Sequence, residues 1–362
     1  MRGRKSWRLC LLAAAGLAAC ASPRDTAAPV ASKSESAAAP KAAMAQQSGD
    51  VCGALLAGQG IPAIEVAGRP VRVVALGDFG EDPSPDSGKD LQPQRDVAQA
   101  MTALDARDPF DFGLTLGDNF YPKGLTSVDS PRWKSQWEDL YSPLGIRFYA
   151  TLGNHDYLEP PASIRAELDY TGRSATWCLP KPYYTFTAGP VQFFALDTTP
   201  VAEPKRAVHA PATMEAQKVW LARELAASRA PWKVVYAHHP IYTNGHHGNA
   251  YGKGLGVLPP VRDYLLPLLD QHEVDVYLAG HDHDLQALKP AGGVRLFVSG
   301  GGGRYIRELE KDECREWAAS AHGFTVLEAD AQRMTVSFYG KTGDLLHETT
   351  WKKGDRGEDC LR

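Results

Sequence analysis

Three features of this 362-residue chain predict an α/β fold with mixed sheets. Five short apolar runs each lead into a polar motif rich in Gly, Asp and His. Helical segments lie between those runs, and two further stretches read as antiparallel hairpins. Short apolar runs bounded by Gly read as buried strands. Strands that alternate with helices imply largely parallel pairing.

The elements follow in order. The first strand, 72–76, enters Gly77-Asp78-Phe79-Gly80, and a helix is expected over 95–106. The second strand, 112–116, enters Gly117-Asp118-Asn119-Phe120-Tyr121. A helix over 133–140 follows, with Trp133 and Trp137 at core spacing. The third strand, 147–152, enters Gly153-Asn154-His155-Asp156. A hairpin over 183–196 precedes a helix over 214–227, where Trp220 is also assigned to the core. The strand 233–237 enters His238-His239-Pro240. A helix over 262–271 leads to the strand 274–279 and to Gly280-His281-Asp282-His283. The glycine run 300–303 ends another apolar strand. It either lets backbone approach a substrate or makes a flexible turn. The second hairpin covers 324–338. Ligands of such sheets bind outside the carboxyl ends of the strands, so five motifs are expected to converge on one crevice.

Composition sets the limits. The chain is 43% hydrophobic and 23% charged, with mean hydropathy −0.32, which excludes a polytopic membrane protein. Net charge −4 and a pI near 6.3 argue against a nucleic-acid binder that relies on bulk electrostatics. They do not exclude an anionic substrate, because bound metal reverses the local field.

Arg2, Arg4, Lys5 and Arg8 precede an uncharged run at 9–21 that is too short to span a bilayer. It reads as a signal-peptide core. Leu17-Ala18-Ala19-Cys20 resembles the lipobox of bacterial lipoproteins, which makes Cys20 a lipid anchor. Ordinary cleavage after Ala19-Cys20-Ala21 is the alternative. Ala21 resembles the outer-membrane sorting choice, so an exported, outer-membrane lipoprotein facing the periplasm or the cell surface is expected. The expected organisation is a lipoprotein signal at 1–20, a disordered tether at 21–50 and a catalytic domain at 51–362. Setting the first two aside leaves 32 basic and 40 acidic residues, so net −4 becomes −8. Cys10 leaves with the signal, and Cys52, Cys178, Cys314 and Cys360 remain. An even number in an exported protein suggests disulfides, with three pairings open. Chain ends often lie close together, so Cys52–Cys360 and Cys178–Cys314 are expected, with free buried thiols as the alternative.

The motif residues are Asp, Asn, Tyr and His, a metal-ligand set. There is no G-x-S-x-G elbow and no Walker loop. Of eleven His, none precedes His155, and seven lie in or beside the motifs: His155, His238, His239, His246, His247, His281 and His283. His281 and His283 are two apart, a spacing that lets each serve a different ion of a close pair, with Asp118 as the bridge. Two ions about 3.5–4 Å apart form a clamp for in-line displacement at phosphorus. Singly the motifs are weak. Gly-Asp after a strand is more often a turn or a helix cap, and a lone His is more often structural. Independent turns have no reason to supply a full ligand set in order at strand ends.

GD, GDNFY, GNHD, an apolar strand ending in His, and GHDH together resemble the calcineurin-like metallophosphoesterases. Many members carry His two residues after the first Asp, where this chain has Gly80. That Gly, with Tyr121, resembles the purple acid phosphatases. The spacing, the compact length and Ala237-His238-His239-Pro240 with His247 downstream resemble the small tartrate-resistant type. The resemblance covers about 70–350, without the leader or the region 300–322.

It implies a four-layer α-β-β-α sandwich with two mixed β-sheets and a dinuclear site at the strand carboxyl ends. Asp78, Asp118, Tyr121 and His283 would hold Fe(III). Asp118, Asn154, His238 and His281 would hold a divalent ion, Fe, Zn or Mn. The anionic first set suits a hard trivalent ion and the more neutral second set a borderline divalent one. Hydroxide activated by the metals would attack a phosphomonoester in line. His155 and His247 would position phosphate and assist the leaving group, with His246 the fallback for His247. Asp156 would brace a histidine, or serve only as a turn acid. Arg304 and Tyr305 are candidates for the substrate rim, and the loops about 158–182, 200–212 and 304–321 would set selectivity.

A metallophosphodiesterase or nucleotide pyrophosphatase with Mn or Zn is the second expectation. An inactive, phosphate-binding surface lipoprotein is the third. No nucleic-acid-binding module is expected, membrane contact is expected only through the N-terminal lipid, and a monomer is expected.

Overall fold

The computed structural model describes residues 50–66, 68–81, 91–250, 259–310 and 314–360. The expected signal with Cys20, and residues 21–49 of the expected tether, lie outside the described residues.

Among the described residues, fifteen strands form two mixed sheets. The seven-stranded sheet contains β2 (Val71–Leu76), β3 (Phe112–Thr115), β4 (Phe148–Tyr149), β5 (Trp177–Cys178), β13 (Gly323–Ala329), β14 (Arg333–Gly340) and β15 (Leu345–Lys352). Its order is β15-β14-β13-β2-β3-β4-β5, with β2 to β5 parallel and the remainder antiparallel. The eight-stranded sheet contains β1 (Ala63–Ile64), β6 (Tyr184–Ala188), β7 (Val191–Ala195), β8 (Trp232–Tyr236), β9 (Val276–Ala279), β10 (Leu285–Ala291), β11 (Val294–Ser299) and β12 (Arg315–Ala319). Its order is β1-β6-β7-β8-β9-β11-β10-β12, with β7, β8, β9 and β11 parallel.

Side-chain alternation makes the layers. Phe193, Val234, Tyr236, Val276, Leu278 and Phe297 turn inward to the core shared with the seven-stranded sheet. Phe194, Val235, Tyr277 and Leu296 turn outward. They meet Leu221 and Leu225 of the helix Met214–Ala227, and Leu265 and Leu269 of the helix Pro259–Gln271. A strand buried on both faces must be apolar throughout, which is why these runs lack a polar stripe. Between the sheets, Phe112 meets Phe186 and Phe193 edge-on at 5.5 and 5.3 Å. The helix Gln92–Arg107 packs Val97, Met101 and Leu104 against the seven-stranded sheet, where it touches β13. Helices on the outer face of each sheet complete the four-layer sandwich.

Several expectations change. The stretch 133–140 is not one regular helix: Pro131–Trp133 and Asp139–Tyr141 flank a π turn, Lys134–Glu138. The extra residue in that turn accompanies full burial of Trp137 against Phe148 and Trp177. The helices Val51–Ala57 and Ala162–Tyr170, and β10, β12 and β15, were not anticipated.

The disulfides are Cys52–Cys178 and Cys314–Cys360, with Cα separations of 6.0 and 5.5 Å, so the expected pairing is corrected. The two ends of the domain go to different sheets. The helix carrying Cys52 lies beside β5 at one edge of the seven-stranded sheet. The segment after β15 crosses to the eight-stranded sheet, where the Cys360 amide bonds the Pro290 carbonyl of β10. Nearness of chain ends is a tendency, and here sheet edges decide the pairing.

Candidate metal centre

All five motifs follow strand carboxyl ends, and the structure brings them together at the seam between the sheets. Asp78, Asp118 and Asn154 follow β2, β3 and β4 of one sheet, and His238 follows β8 of the other. His281 and His283 lie on the turn between β9 and β10. The turns are tight. Asp78, Asp118 and His281 have φ of 59°, 50° and 71°, a left-handed conformation that L-residues rarely adopt. Glycines let the loops touch. A Cβ on Gly153 would lie 2.3 Å from Asp118 Oδ1, and one on Gly80 would lie 1.8 Å from the Asn119 carbonyl. Position 80 therefore has no room for a side chain.

Two groups form on either side of Asp118. In the first, the Tyr121 hydroxyl lies 2.8 Å from both Asp78 Oδ1 and Asp118 Oδ2, and 3.3 Å from His283 Nε2. In the second, His238 Nε2 lies 3.0 Å from Asn154 Oδ1, 3.3 Å from Asp118 Oδ1 and 3.1 Å from His281 Nδ1. All seven side chains are buried. His281 and His283 turn to opposite groups.

Proton positions show what the cluster needs. His238 Nδ1 bonds the Leu116 carbonyl and His283 Nδ1 bonds the Tyr305 carbonyl. A carbonyl only accepts, so both Nδ1 atoms carry hydrogen and both Nε2 atoms are bare lone pairs. His238 Nε2 then faces Asp118 Oδ1 and Asn154 Oδ1, acceptor against acceptor. His283 Nε2 faces Asp78 Oδ1 at 3.6 Å in the same way. Such convergence in a buried site fits a bound cation.

The electrostatics agree. Burial, and then the Asp118 charge, pushes the Asp78 carboxyl well above its ordinary range. Burial also works to raise Asp118, but His238, His155 and the surrounding donors outweigh it and hold that carboxyl at about 2. Burial and the two carboxylates raise the Tyr121 phenol. Burial lowers His238 to about 4, His283 to about 3 and His281 well below its usual value, so all three rings are neutral. A cation would relieve the acids and use the lone pairs.

The other candidates divide. His155 sits over the Tyr121 ring at 4.5 Å, with Nδ1 on the Pro122 carbonyl and Nε2 at 4.0 Å from Asp118 Oδ2. His247 stacks on His281 at 3.8 Å, whereas His246 is exposed and pairs with Glu310 at 2.8 Å. The ambiguity between the adjacent pair is thus resolved in favour of His247 at the cluster. Asp156 does not brace a histidine, which corrects that expectation. Its buried carboxylate accepts the amides of Asn119, Phe120 and Gly153 and ties the second motif to the third. Arg304 pairs with Glu81 and lies 4.5 Å over the Tyr121 ring, and Tyr305 is exposed at the rim. The run 300–303 lets backbone approach backbone: a Cβ on Gly300 would lie 2.0 Å from the Asp282 carbonyl, and one on Gly302 would lie 2.3 Å from that of Gly77.

Two residues escaped the sequence reading. Asp282 accepts from the His247 amide and from Nδ1 at 2.9 Å, and it takes the Thr243 hydroxyl bond as well. Its place between two ligand-type histidines in GHDH was the available signal. Arg307 lies 3.0 Å from His247 Nε2, in a region that no motif covers.

Known proteins place the chain. Residues 71–285 match the calcineurin-like phosphoesterase family. The chain is 29% identical to human tartrate-resistant acid phosphatase type 5, over 80% of this chain and 93% of that one. It is 30% identical to purple acid phosphatase 3 of Arabidopsis thaliana, over 78% of this chain and 77% of that one. In fold it is similar to GAP50, the anchor in the inner membrane complex of Plasmodium, with TM-score 0.64, 23% identity and coverage of 79% and 90%. A family match over more than half of the chain, with strand-end motifs gathered at one seam, leads to one conclusion: the chain belongs to the calcineurin-like phosphoesterases and is a hydrolase with purple acid phosphatases among its relatives.

Proposed function

We propose that this chain is a purple-type acid phosphomonoesterase. Asp78, Asp118, Tyr121 and His283 would hold Fe(III), and Asp118, Asn154, His238 and His281 a divalent ion. The observation that carries this reading is the Tyr121 hydroxyl 2.8 Å from two carboxylates. A phenol among buried carboxylates is a hard anionic donor, which suits a trivalent ion.

When bound, the two ions supply Lewis acidity and a water nucleophile near or below neutral pH. The chain supplies position and protons. His155, with its Nδ1–H on Pro122, turns Nε2 to the cluster, where a protonated Nε2 would donate to a phosphate oxygen. Asp282 accepts the His247 Nδ1–H and holds the ring with Nε2 toward the mouth, where a ring protonated on both nitrogens would serve the leaving oxygen. Asp156 keeps the loops bearing Asp118 and Asn154 in register. Placement as an exported, lipid-anchored protein through Cys20 is part of the same proposal and rests on the leader sequence.

The test is a visible absorption spectrum of iron-loaded protein, together with turnover of an aryl phosphate. A band lost in Tyr121→Phe is expected, with turnover reduced by less than about tenfold, since the remaining ligands stay. A colourless, fully iron-loaded protein that turns over phosphodiesters better than monoesters would favour the diesterase. No turnover with any metal would favour a phosphate-binding role.

A further inference from the structure

Arg307 is the feature that neither the motifs nor the proposed mechanism uses. Its guanidinium is half-buried at the mouth of the cluster. Nη1 lies 3.0 Å from His247 Nε2, and Nη2 donates to the Tyr305 hydroxyl at 2.9 Å. The guanidinium also lies 5.3 Å over the Tyr305 ring. Among the described residues no carboxylate lies within ion-pair distance of it. The neighbouring Arg304, by contrast, is neutralised by Glu81. A permanently charged fork hydrogen-bonded only to an imidazole and a phenol, with the buried Asp284 carboxyl the acid that feels its charge, is available to an anion.

Its two anchors define where that anion sits. His247 stacks on His281, in one half of the cluster. Tyr305 stands edge-on to His283, in the other half, at 5.1 Å, and its carbonyl holds His283 Nδ1. Arg307 therefore spans the mouth from one half to the other. A phosphoryl group seated across both halves turns its remaining oxygen outward, toward this fork.

We infer that Arg307 contacts the outward phosphoryl oxygen of the substrate and selects monoesters over diesters. This rests on the phosphatase reading above. A monoester has three non-bridging oxygens, so one remains for Arg307 after two face the cluster. A diester has two, and its second ester group occupies the outward position with no charge to offer.

Arg307→Ala, Arg307→Lys, His247→Ala and the double variant His247→Ala/Arg307→Ala would be assayed with an aryl phosphate and a methyl aryl phosphodiester. For Arg307→Ala, kcat/KM on the monoester is expected to fall roughly tenfold to a hundredfold, mostly in KM, as for loss of a charge-assisted bond. The diester rate is expected to change by less than about threefold, and Lys to restore part of the loss. The fall should persist in the His247→Ala background. Calorimetric binding of orthophosphate and dimethyl phosphate to metal-loaded protein gives a readout independent of turnover. Arg307→Ala should weaken only orthophosphate. Equal losses on both esters, no loss of orthophosphate affinity, or a loss that disappears in the His247→Ala background would overturn the inference. A wild type that binds orthophosphate through Arg307 but hydrolyses neither ester would instead remove the phosphatase reading.

Discussion

The two halves of the cluster share Asp118 but differ in charge. Asp78 and Tyr121 bring ionisable oxygens to the first half, beside one neutral ring, His283. Asn154, His238 and His281 bring only neutral donors to the second. Burial acts oppositely on the two sets. It raises Asp78 and Tyr121, so their anionic forms are unstable without a cation. It lowers His238 and His281, so their metal-binding neutral forms are favoured from the start. One half offers acids whose anionic forms a cation would stabilise, and the other offers neutral lone pairs without one.

The strongest way to break this comparison is to remove what the halves share. Asp118→Ala should lower turnover by about a thousandfold or more, since it withdraws support for several kcal/mol of charge stabilisation. Metal analysis should show both ions depleted, and a variant that retains two would mean the halves stand independently. Asn154→Ala touches only the neutral half. Turnover should fall by about a hundredfold, with one divalent equivalent lost and the first-half colour kept. If colour and divalent ion disappear together, the division is wrong. Asp282→Asn acts outside both halves, on the tautomer of His247. A loss of about tenfold to a hundredfold is expected, with metal content unchanged. A change in metal content would show that Asp282 supports His281 rather than His247.

The smallest effect sharpens the comparison with a buried acid, Asp197, that no cationic side chain pairs among the described residues. Burial raises Asp197 to about 7, against donors from Tyr157 and Thr199. Its folded-state value lies above the unfolded one of about 3.9, so the neutral form favours the fold. That stability is fully present below about pH 4 and is lost as pH rises through 7. Asp197→Asn should flatten the fall by about 1 kcal/mol per pH unit at its steepest. Denaturant midpoints between about pH 4 and 7 would show it, and equal slopes would mean that Asp197 is ionised in the fold.

The strands were legible because burial on both faces leaves no choice of residue type. The runs 72–76 and 233–237 could hardly be anything else. That the motif residues gather at one place was legible because short polar motifs at strand ends can meet only at one edge of a sandwich. The weaker readings failed where local sequence carries little information. Asp156 and Asp282 each sit one residue from a quoted site residue, and nothing in the order GNHD or GHDH says which acid reaches a ring. The backbone path decides: Asp156 faces three amides, and Asp282 faces His247. The short strand β12 follows a stretch without periodicity, and it forms because β10 offers it an edge.

By itself the sequence determined the class of fold, the order of the motifs and the residue types offered to a metal, because periodicity and composition are local properties. Only the tertiary structure decided which cysteines pair, which of two adjacent histidines reaches the cluster, and that Arg307 spans its mouth. Those outcomes depend on which sheet edge or loop lies within a few ångströms of another, and such distances are set by packing among segments far apart in the chain.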